Sequence, residues 1–387
     1  MDIFKIEETD DNRKLLSRNG ICGLENMQNT CYINCIIQCM RYNSYLYEYF
    51  KENYHTRHLN SSASDAVQNF MCAWRQILID FWDNNERIIR PIGFFKSFQN
   101  LCIATNKCEL IGFNQNDAEE FLQFFLDSLH EAIKIKIPKS KIVVKGDIVE
   151  PVDRLMKDYC EFYSSYQSKE GISPIKQQYG GVFCSSITNT HDDSSSNSFD
   201  PFIYVNLEIN ELQKGQSILK SLDSFTTPEE LSGYKSEDNP KPEGTAFHRQ
   251  MKFIHLPSNL IIVLKRFRFN MSTNRQSRIN TILSVPTKLD MKPYSVGYSI
   301  GNTQYELNAI CNHKGDVKGG HYYSYVKNVD DNWILYNDRN YKEVNKEAMD
   351  KEELLSGDAY ILFYRHIGRS TSFTTPVPAG GGGTKPC

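Results

Sequence analysis

A length of 387 residues, with 40% hydrophobic and 24% charged residues, allows a substantial core arranged in two or three lobes. The net charge of −3, with no basic stripe interleaved with aromatic residues, gives no reason to expect a nucleic-acid partner. No apolar run approaches the roughly 20 residues that a membrane helix needs, so we expect no membrane insertion.

The amino terminus and the cysteines indicate the cellular compartment. Residues 1–11 are acidic and lack the apolar core of a signal peptide. The chain has 11 cysteines, an odd number without a regular framework, which fits free thiols in a reducing compartment better than a disulfide scaffold. We therefore expect an intracellular protein, in the cytoplasm or the nucleus.

Residues 31 to about 135 have mainly helical periodicity. Ile33, Ile37 and Met40 recur at helical spacing, and Thr30 is a residue type that caps helix starts. Residues 66–74 also indicate a helix. A further helix is predicted over residues 117–132, where Asp117 begins a capping box.

Cys31 lies where a polar turn runs into the first of these helices. In a first helical turn, unpaired backbone N–H groups and the helix dipole favour an anion, and so the reactive thiolate form of a cysteine. Such a position predicts a nucleophile. A lone cysteine at a helix start is more often a packed core residue, which is the interpretation given to Cys35 and Cys39.

From about residue 140 onward the pattern becomes strand-like. Strands are predicted at residues 142–144, 202–207 and 259–264. Residues 190–198 and 237–243 have the composition of solvated loops. The tail from residue 369 ends in a glycine-rich segment and should be flexible.

The best candidate for a base lies near the end of the chain. His321 follows two glycines and opens an alternating aromatic strand, so its imidazole would be held rigidly beside a loop that can bend. The apolar strand 333–336 that follows ends in Asn337 and Asp338. Either side chain can accept a hydrogen bond from the imidazole and orient it, which completes a Cys-His-Asn/Asp arrangement.

Several segments carry a resemblance to a known family. The cysteine box is filled by Gly23, Leu24, Asn26, Asn29, Thr30, Cys31, Tyr32, Asn34 and Gln38, and the histidine box by His313, Gly315, Gly320, His321 and Tyr322. Residues 115–122, 264–267 and 359–364 match three further motifs in the family's order. Across residues 20 to 366 the chain resembles the ubiquitin-specific proteases, which are papain-like cysteine deubiquitinases.

The resemblance implies an α+β fold of the papain-like cysteine protease superfamily, with a helical thumb, a β palm and a β fingers lobe. The catalytic domain would span residues 20–366, between an N-terminal extension (1–19) and a flexible tail (367–387). The thumb would cover about 20–140, the fingers about 170–260, and the palm about 141–169 and 261–366. The cleft between thumb and palm would hold the active site.

By resemblance, Cys31 is the nucleophile and His321 the base of an enzyme that cleaves the bond after the C-terminal Gly-Gly of ubiquitin. Asn337 orients His321, with Asp338 assisting or substituting, and the Cys31 N–H and the Asn26 side chain receive the oxyanion. The channel for the ubiquitin tail would be lined by Tyr32, Gln115, Asp117, Glu120, Gly320 and Tyr322. The implied partners are ubiquitin and ubiquitinated proteins; we expect no cofactor and a monomer.

The resemblance also bears on one further histidine and on two loops beside the predicted site. His313 is an alternative base, but its spacing places it in a flexible loop before the strand, so the resemblance favours His321. That loop, residues 313–320, and the loop around residues 270–278 are predicted to act as gates that move when ubiquitin docks.

The chain departs from the family at the fingers. Many members carry a structural zinc there, held by two Cys-x-x-Cys pairs, and the corresponding residues here are Asn189, Asp192, Ser236 and Asn239. The sequence contains no Cys-x-x-Cys, so the soft ligands of a tetrahedral zinc site are missing. We therefore predict metal-free fingers.

A second departure lies beside the nucleophile. The family usually has glycine where this chain has Gln28, and a requirement for positive φ there would strain the loop and reduce activity. One alternative function is therefore a catalytically silent ubiquitin-binding module. Another is a protease for a different ubiquitin-like modifier, because modifier choice resides in broad surface contacts.

Overall fold

The computed structural model describes residue 4 and residues 20–83, 87–111, 116–142, 151–210, 215–231, 246–271, 274–296, 303–316 and 319–367. Most helices come first in the chain and most strands follow. The helices are α1 (Cys31–Met40), α2 (Ser44–Lys51), α3 (Asp65–Asp83), α4 (Ile92–Ala104), α5 (Ala118–Ile133), α6 (Pro151–Glu170), α7 (Pro174–Tyr179), α8 (Ile218–Thr226) and α9 (Lys346–Met349).

The strands form two larger sheets and three two-stranded pairs. They are β1 (Gly23–Leu24), β2 (Ile88–Ile89), β3 (Gly181–Asn189), β4 (Ser195–Phe202), β5 (Val205–Leu207), β6 (Glu229–Glu230), β7 (Phe247–His255), β8 (Asn259–Leu264), β9 (Phe267–Asn270), β10 (Arg275–Arg278), β11 (Leu283–Pro286), β12 (Lys288–Asp290), β13 (Gln304–Asp316), β14 (Gly319–Lys327), β15 (Trp333–Asn337), β16 (Asn340–Glu343), β17 (Glu353–Ser356) and β18 (Ala359–His366).

The larger sheet has eight strands in the order β16, β15, β14, β13, β18, β8 and β5, with β12 paired to β13. Its neighbours are antiparallel except for β5 and β8. The second sheet has the order β4, β3, β7 and β6 and is antiparallel. The pairs are β1 with β2, β9 with β10, and β11 with β17.

Both faces of the eight-stranded sheet are buried. In β8, Ile261 and Val263 join the core shared with the helices, whereas Leu260, Ile262 and Leu264 join a second core on the opposite face. This alternation explains why the strand reads as a continuous apolar run. All ten residues of α1 are buried, and the helix packs against β13, β14 and β15.

Several predicted elements are present. The helices predicted at residues 66–74 and 117–132 correspond to α3 and α5. Asp117 caps α5, since its side chain accepts the backbone N–H of Glu119 over 2.7 Å. The predicted strand 259–264 is β8, and the predicted strand 202–207 is divided between the end of β4 and β5.

Other predictions for the second half were wrong. Residues 151–170, 174–179 and 218–226 are helices, although the sequence there was interpreted as strand-like. Ile142 lies outside regular structure and residues 143–144 outside the described residues. Residues 195–198 of the predicted loop 190–198 belong to β4, while the loop 237–243 and the tail from 369 lie outside the described residues.

The two predicted gating loops are mostly strands. Residues 267–278 form the β9–β10 hairpin, in which residues 272–273 are not described. His313 lies inside β13 and is buried, not in a flexible loop. Its ring packs against Phe267 and Tyr322, with centroid separations of 5.2 and 4.7 Å.

Candidate active site

Cys31 is the first residue of α1, as the pattern of the sequence predicts. The preceding loop is held by Asn26, whose Oδ1 accepts the backbone N–H of Thr30 over 3.1 Å. Within that loop Gln28 and Asn29 have φ of +73° and +53°. The left-handed region is tolerated by Asn and costly for Gln, so the position expected to require positive φ does so and carries a strained residue.

His321 lies near the start of β14 and is brought to Cys31 by the sheet under α1. Its Nε2 lies 2.6 Å from Asn337 Oδ1, at the end of the neighbouring strand β15. The imidazole also forms a hydrogen bond with the Cys31 thiol. Because Asn337 occupies Nε2, Nδ1 is the ring nitrogen available to the sulfur.

The electrostatics of His321 favour the charged imidazole. The hydrogen bond with Cys31 is the largest cause that raises its pKa to about 9, with further contributions from Asn337 and from the Asp338 carboxylate. Burial opposes these effects. At neutral pH the ring therefore carries a proton that it can donate to a leaving group.

Asp338 connects three parts of the site. Its Oδ2 accepts Asn26 Nδ2 over 2.9 Å and lies 4.0 Å from His321 Nε2. Its Oδ1 accepts Asn34 Nδ2 over 2.9 Å. The residue has φ of +50° and its carbonyl oxygen accepts the Leu24 N–H over 2.9 Å, so a tight turn presents the carboxylate to α1.

The two predicted tyrosines of the tail channel are buried. The Tyr32 hydroxyl donates to the Leu110 carbonyl over 3.1 Å and accepts from Asn116 over 3.2 Å. Burial raises the pKa of Tyr32 to about 12 and also raises that of Tyr322. Both side chains are only 3% exposed, so neither ring projects into solvent.

The other predicted channel residues lie on α5 and β14. Asp117 accepts the Tyr360 hydroxyl over 2.7 Å, and burial raises the pKa of its carboxyl and that of Glu120. A Cβ added at Gly320 would lie 2.1 Å from His313 Nε2, so any larger residue there would require the buried His313 ring to shift. Gln115 lies outside the described residues.

Sequence reasoning gave no role to Asn34, although it belongs to the cysteine box. The signal available was its spacing of three residues from Cys31, which places both on one side of α1. Its partner Asp338 lies 304 residues away, so the contact itself has no local pattern.

Of the four positions where the resemblance would place zinc ligands, Asn189 and Asp192 are within the described residues. Asn189 Oδ1 accepts the His191 N–H and Asp192 Oδ1 accepts the Ser194 N–H, so both side chains stabilise the β3–β4 turn. Among the residues that the structure describes, no group of three or more His, Cys, Asp or Glu side chains is arranged for a metal ion. No helix within the described ranges is both long and apolar enough to cross a membrane.

Comparisons with known proteins agree with this geometry. A family model described as ubiquitin carboxyl-terminal hydrolase matches residues 22–364. Ubiquitin carboxyl-terminal hydrolase Usp2 of Drosophila melanogaster is 29% identical and covers 89% of this chain and 35% of that protein. Ubiquitin carboxyl-terminal hydrolase 8 of Saccharomyces cerevisiae is 26% identical, over 90% of this chain and 71% of that protein. The chain thus spans little more than a third of the length of the Drosophila protein.

A solved structure has the same fold. It is the SAGA Ubp8/Sgf11/Sus1/Sgf73 DUB module bound to ubiquitin aldehyde, with a TM-score of 0.68 at 24% identity, covering 90% of this chain and 70% of that chain. Since the family model extends across the thiol, the imidazole and the strands that hold them, the chain belongs to the ubiquitin carboxyl-terminal hydrolase family.

Proposed function

We propose that this chain is a cysteine-dependent deubiquitinase that hydrolyses the isopeptide or peptide bond after the C-terminal Gly-Gly of ubiquitin. The observation that carries the proposal is the double engagement of His321, which bonds to the Cys31 thiol and to Asn337 Oδ1 at once. A nucleophile, a base and an orienting group in contact are the requirements of cysteine acyl transfer.

In the proposed reaction, the Cys31 thiolate attacks the carbonyl carbon of the terminal glycine. The tetrahedral intermediate collapses as the protonated His321 gives its proton to the departing amine, which leaves a thioester on Cys31. Neutral His321 then removes a proton from water, and the hydroxide attacks the thioester. The products are free ubiquitin with a C-terminal carboxylate and the regenerated thiol–imidazole pair.

The oxyanion would be received by the Cys31 backbone N–H and by Asn26. Cys31 begins α1, where backbone N–H groups lack an acceptor within the helix. Asn26 Nδ2 carries two hydrogens, of which one is directed to Asp338, so the other is available to the oxyanion. Removing one such donor typically lowers the rate about 100- to 1000-fold.

Ubiquitin and ubiquitinated proteins are the proposed partners. Asp117 and Glu120 place acidic groups at the start of α5, on the side of the cleft toward Tyr360, where they suit a basic tail. The lobe boundaries inferred from the sequence, the monomeric state and an intracellular location stay predictions. None of the ten described cysteines forms a disulfide bond.

The first test is covalent capture. Purified protein is incubated with ubiquitin that carries a C-terminal thiol-reactive electrophile, and the intact mass is measured for wild type and Cys31→Ala. We expect a one-to-one adduct in the wild type alone. Cys35→Ala is the matched control, since that cysteine lies one turn further along α1 and is buried in the core; it should keep the adduct.

The same measurement separates the alternatives. The strained Gln28 is the one observation that favours a catalytically silent ubiquitin-binding module. Retained ubiquitin binding without an adduct would establish that function instead. If the protein neither binds ubiquitin nor forms an adduct with it, but is captured by another modifier that carries the same electrophile, the protein is a protease for that modifier.

A further inference from the structure

Asn34 has unusual hydrogen bonding for a buried amide. Its Nδ2 donates to Asp338 Oδ1 over 2.9 Å and lies 3.3 and 3.5 Å from the carbonyl oxygens of Glu25 and Leu24. Its Oδ1 is buried and has no hydrogen-bond partner in the part of the chain that the structure describes. Leaving such an acceptor unpaired costs about 1–3 kcal/mol. The site therefore requires a donor at this position, and packing alone does not explain an amide there.

The acceptor that Asn34 binds is the group that competes for His321. Asn337 Oδ1 lies 2.6 Å from His321 Nε2, whereas Asp338 Oδ2 lies 4.0 Å from the same nitrogen. A carboxylate is the stronger acceptor for a charged imidazole, so on charge alone Asp338 should be the closer of the two. Asn34 donates to Asp338 Oδ1 and Asn26 donates to Asp338 Oδ2. These two hydrogen bonds keep the carboxylate away from His321 Nε2.

We infer that Asn34 is a positioning residue that binds the Asp338 carboxylate and thereby reserves His321 Nε2 for Asn337. The inference rests on the proposed roles of Cys31 and His321. It assigns to α1 two tasks, since the helix carries the nucleophile and, three residues later, the donor that decides which side chain orients the base.

The backbone around Asp338 is fixed independently of Asn34. The Asp338 carbonyl oxygen accepts the Leu24 N–H, and the Arg339 backbone approaches Gly23 so closely that an added Cβ would lie 2.3 Å from the Arg339 carbonyl oxygen. Losing the Asn34 amide therefore leaves the turn in place and the carboxylate held by Asn26 through Oδ2, so that the carboxylate is less constrained against rotation about its side-chain bonds.

Within the described part of the chain, three titratable groups are recorded as acting on His321. They are Cys31 from α1, Asp338 from the turn after β15, and the neighbouring imidazole of His313 from β13. Of these groups, the hydrogen bonds recorded for the Asn34 side chain within the described residues include Asp338 alone. In Asn34→Ala the less constrained carboxylate should move onto the imidazolium, which stabilises the charged ring further.

The direct test is an NMR titration of histidine with ¹³C-labelled imidazoles, assigned by comparison with His321→Gln. The wild-type pKa of His321 should be about 9. In Asn34→Ala we expect it to rise by about 1. An unchanged or lower value would overturn the inference. The titration needs no ubiquitin, so its outcome is independent of whether the protein proves to be a deubiquitinase.

A double-mutant cycle tests whether Asn34 keeps His321 Nε2 bonded to Asn337 and not to Asp338. With a ubiquitin–fluorophore substrate, Asn337→Ala alone should lower kcat/KM about 100-fold. In the Asn34→Ala background the same change should cost about 10-fold or less, because Asp338 has taken over the imidazole. Additive losses would contradict the inference. In an Asp338→Asn background, Asn34→Ala should leave the pKa of His321 unchanged.

Gln38→Ala is the matched control. Gln38 is another buried amide of α1, and its Nε2 donates to the Cys22 carbonyl over 3.0 Å. Its loss should lower thermal stability to a similar extent without altering the pKa of His321. An equal rise of that pKa in Gln38→Ala would mean that the rise in Asn34→Ala comes from a general loss of packing around α1. If Asn34→Ala fails to fold, the same NMR titration of His321 is made on Asn34→Ser, whose side chain is too short to reach Asp338.

Discussion

At the scale of single residues, His321 determines how activity depends on pH. Its pKa is raised to about 9, first by the bond to Cys31 and then by Asn337, so the proton needed by the leaving amine is lost as pH rises through that value. The alkaline limb of kcat/KM should therefore lie near pH 9 and report the His321 proton.

Asn337→Ala should move that alkaline limb to lower pH. The bond from His321 Nε2 to Asn337 Oδ1 favours the charged ring, and its removal leaves burial, which lowers the pKa, less opposed. The measurement is kcat/KM for a ubiquitin–fluorophore substrate between pH 6 and 10. Asn340→Ala, at the exposed partner position across β15 and β16, is the control and should leave the limb in place. A limb that moves upward would refute this account of His321.

Gln28 provides a stability prediction at the same scale. Because its φ is +73°, Gln28→Gly should raise the free energy of unfolding by about 0.5–1 kcal/mol and the Tm accordingly. Asn29→Gly is the matched control: its φ is +53°, but asparagine tolerates this region, so little gain is expected. Equal effects of the two changes in thermal denaturation would show that backbone strain at Gln28 is not relieved.

Single residues also set the limit of what sequence could predict. The positions of Cys31, His321 and Asn337 in the site follow from local patterns: a helix start, a glycine-flanked strand and the polar end of an apolar strand. The bond between Asn26 and Asp338 joins residues 312 apart and has no local periodicity. Which of Asn337 and Asp338 lies closer to the imidazole required the geometry.

At the scale of elements, α1 is joined to β15 through a buried arginine. Arg41 directly follows α1, is fully buried, and donates from Nη2 to the Tyr336 hydroxyl over 2.7 Å. Each acceptor recorded for it among the described residues is a neutral oxygen, and its guanidinium carbon lies 4.2 Å from the Phe81 ring centroid. This contact fixes the helix of Cys31 against the strand of Asn337.

Arg41→Lys should therefore destabilise the protein by about 2–4 kcal/mol, because lysine cannot reproduce the planar fork in a buried site. Tyr336→Phe removes one partner and should cost only about 1–2 kcal/mol. Urea denaturation followed by circular dichroism measures both. A lysine variant as stable as wild type would mean that the guanidinium geometry does not hold the two elements together.

The success of element prediction depended on which signal was strong. Helix α5 has an acidic cap and a clear apolar face, and β8 has a short apolar run, so both were predicted correctly. Helix α6 lacks a clear helical signal because half of its apolar positions are Tyr or Phe, which are typical of strands, and only Tyr159 and Cys160 are buried. The glycines that follow His313 in the sequence favour a loop there, yet strand β13 continues to Asp316.

At the scale of the whole molecule, the predicted gates are the β9–β10 hairpin and residues 313–320, whose described part belongs to the end of β13 and the start of β14. Arg278 at the end of β10 donates to the His313 carbonyl over 2.6 Å, so the two are linked. Binding of ubiquitin should increase hydrogen-exchange protection in both segments. The core helix α3 is the internal control and should not change. Identical exchange of both segments with and without ubiquitin would rule out gating.

The order of the site along the chain has a consequence for synthesis. Cys31 lies near the beginning, whereas His321 and the turn with Asp338 lie near the end, between strands that pair on both sides. During translation the amino-terminal helices emerge first, but the nucleophile has no base and α1 has no sheet to cover it. We therefore expect a ribosome-bound nascent chain to be inert until β15 has left the exit tunnel, with the apolar face of α1 uncovered until then.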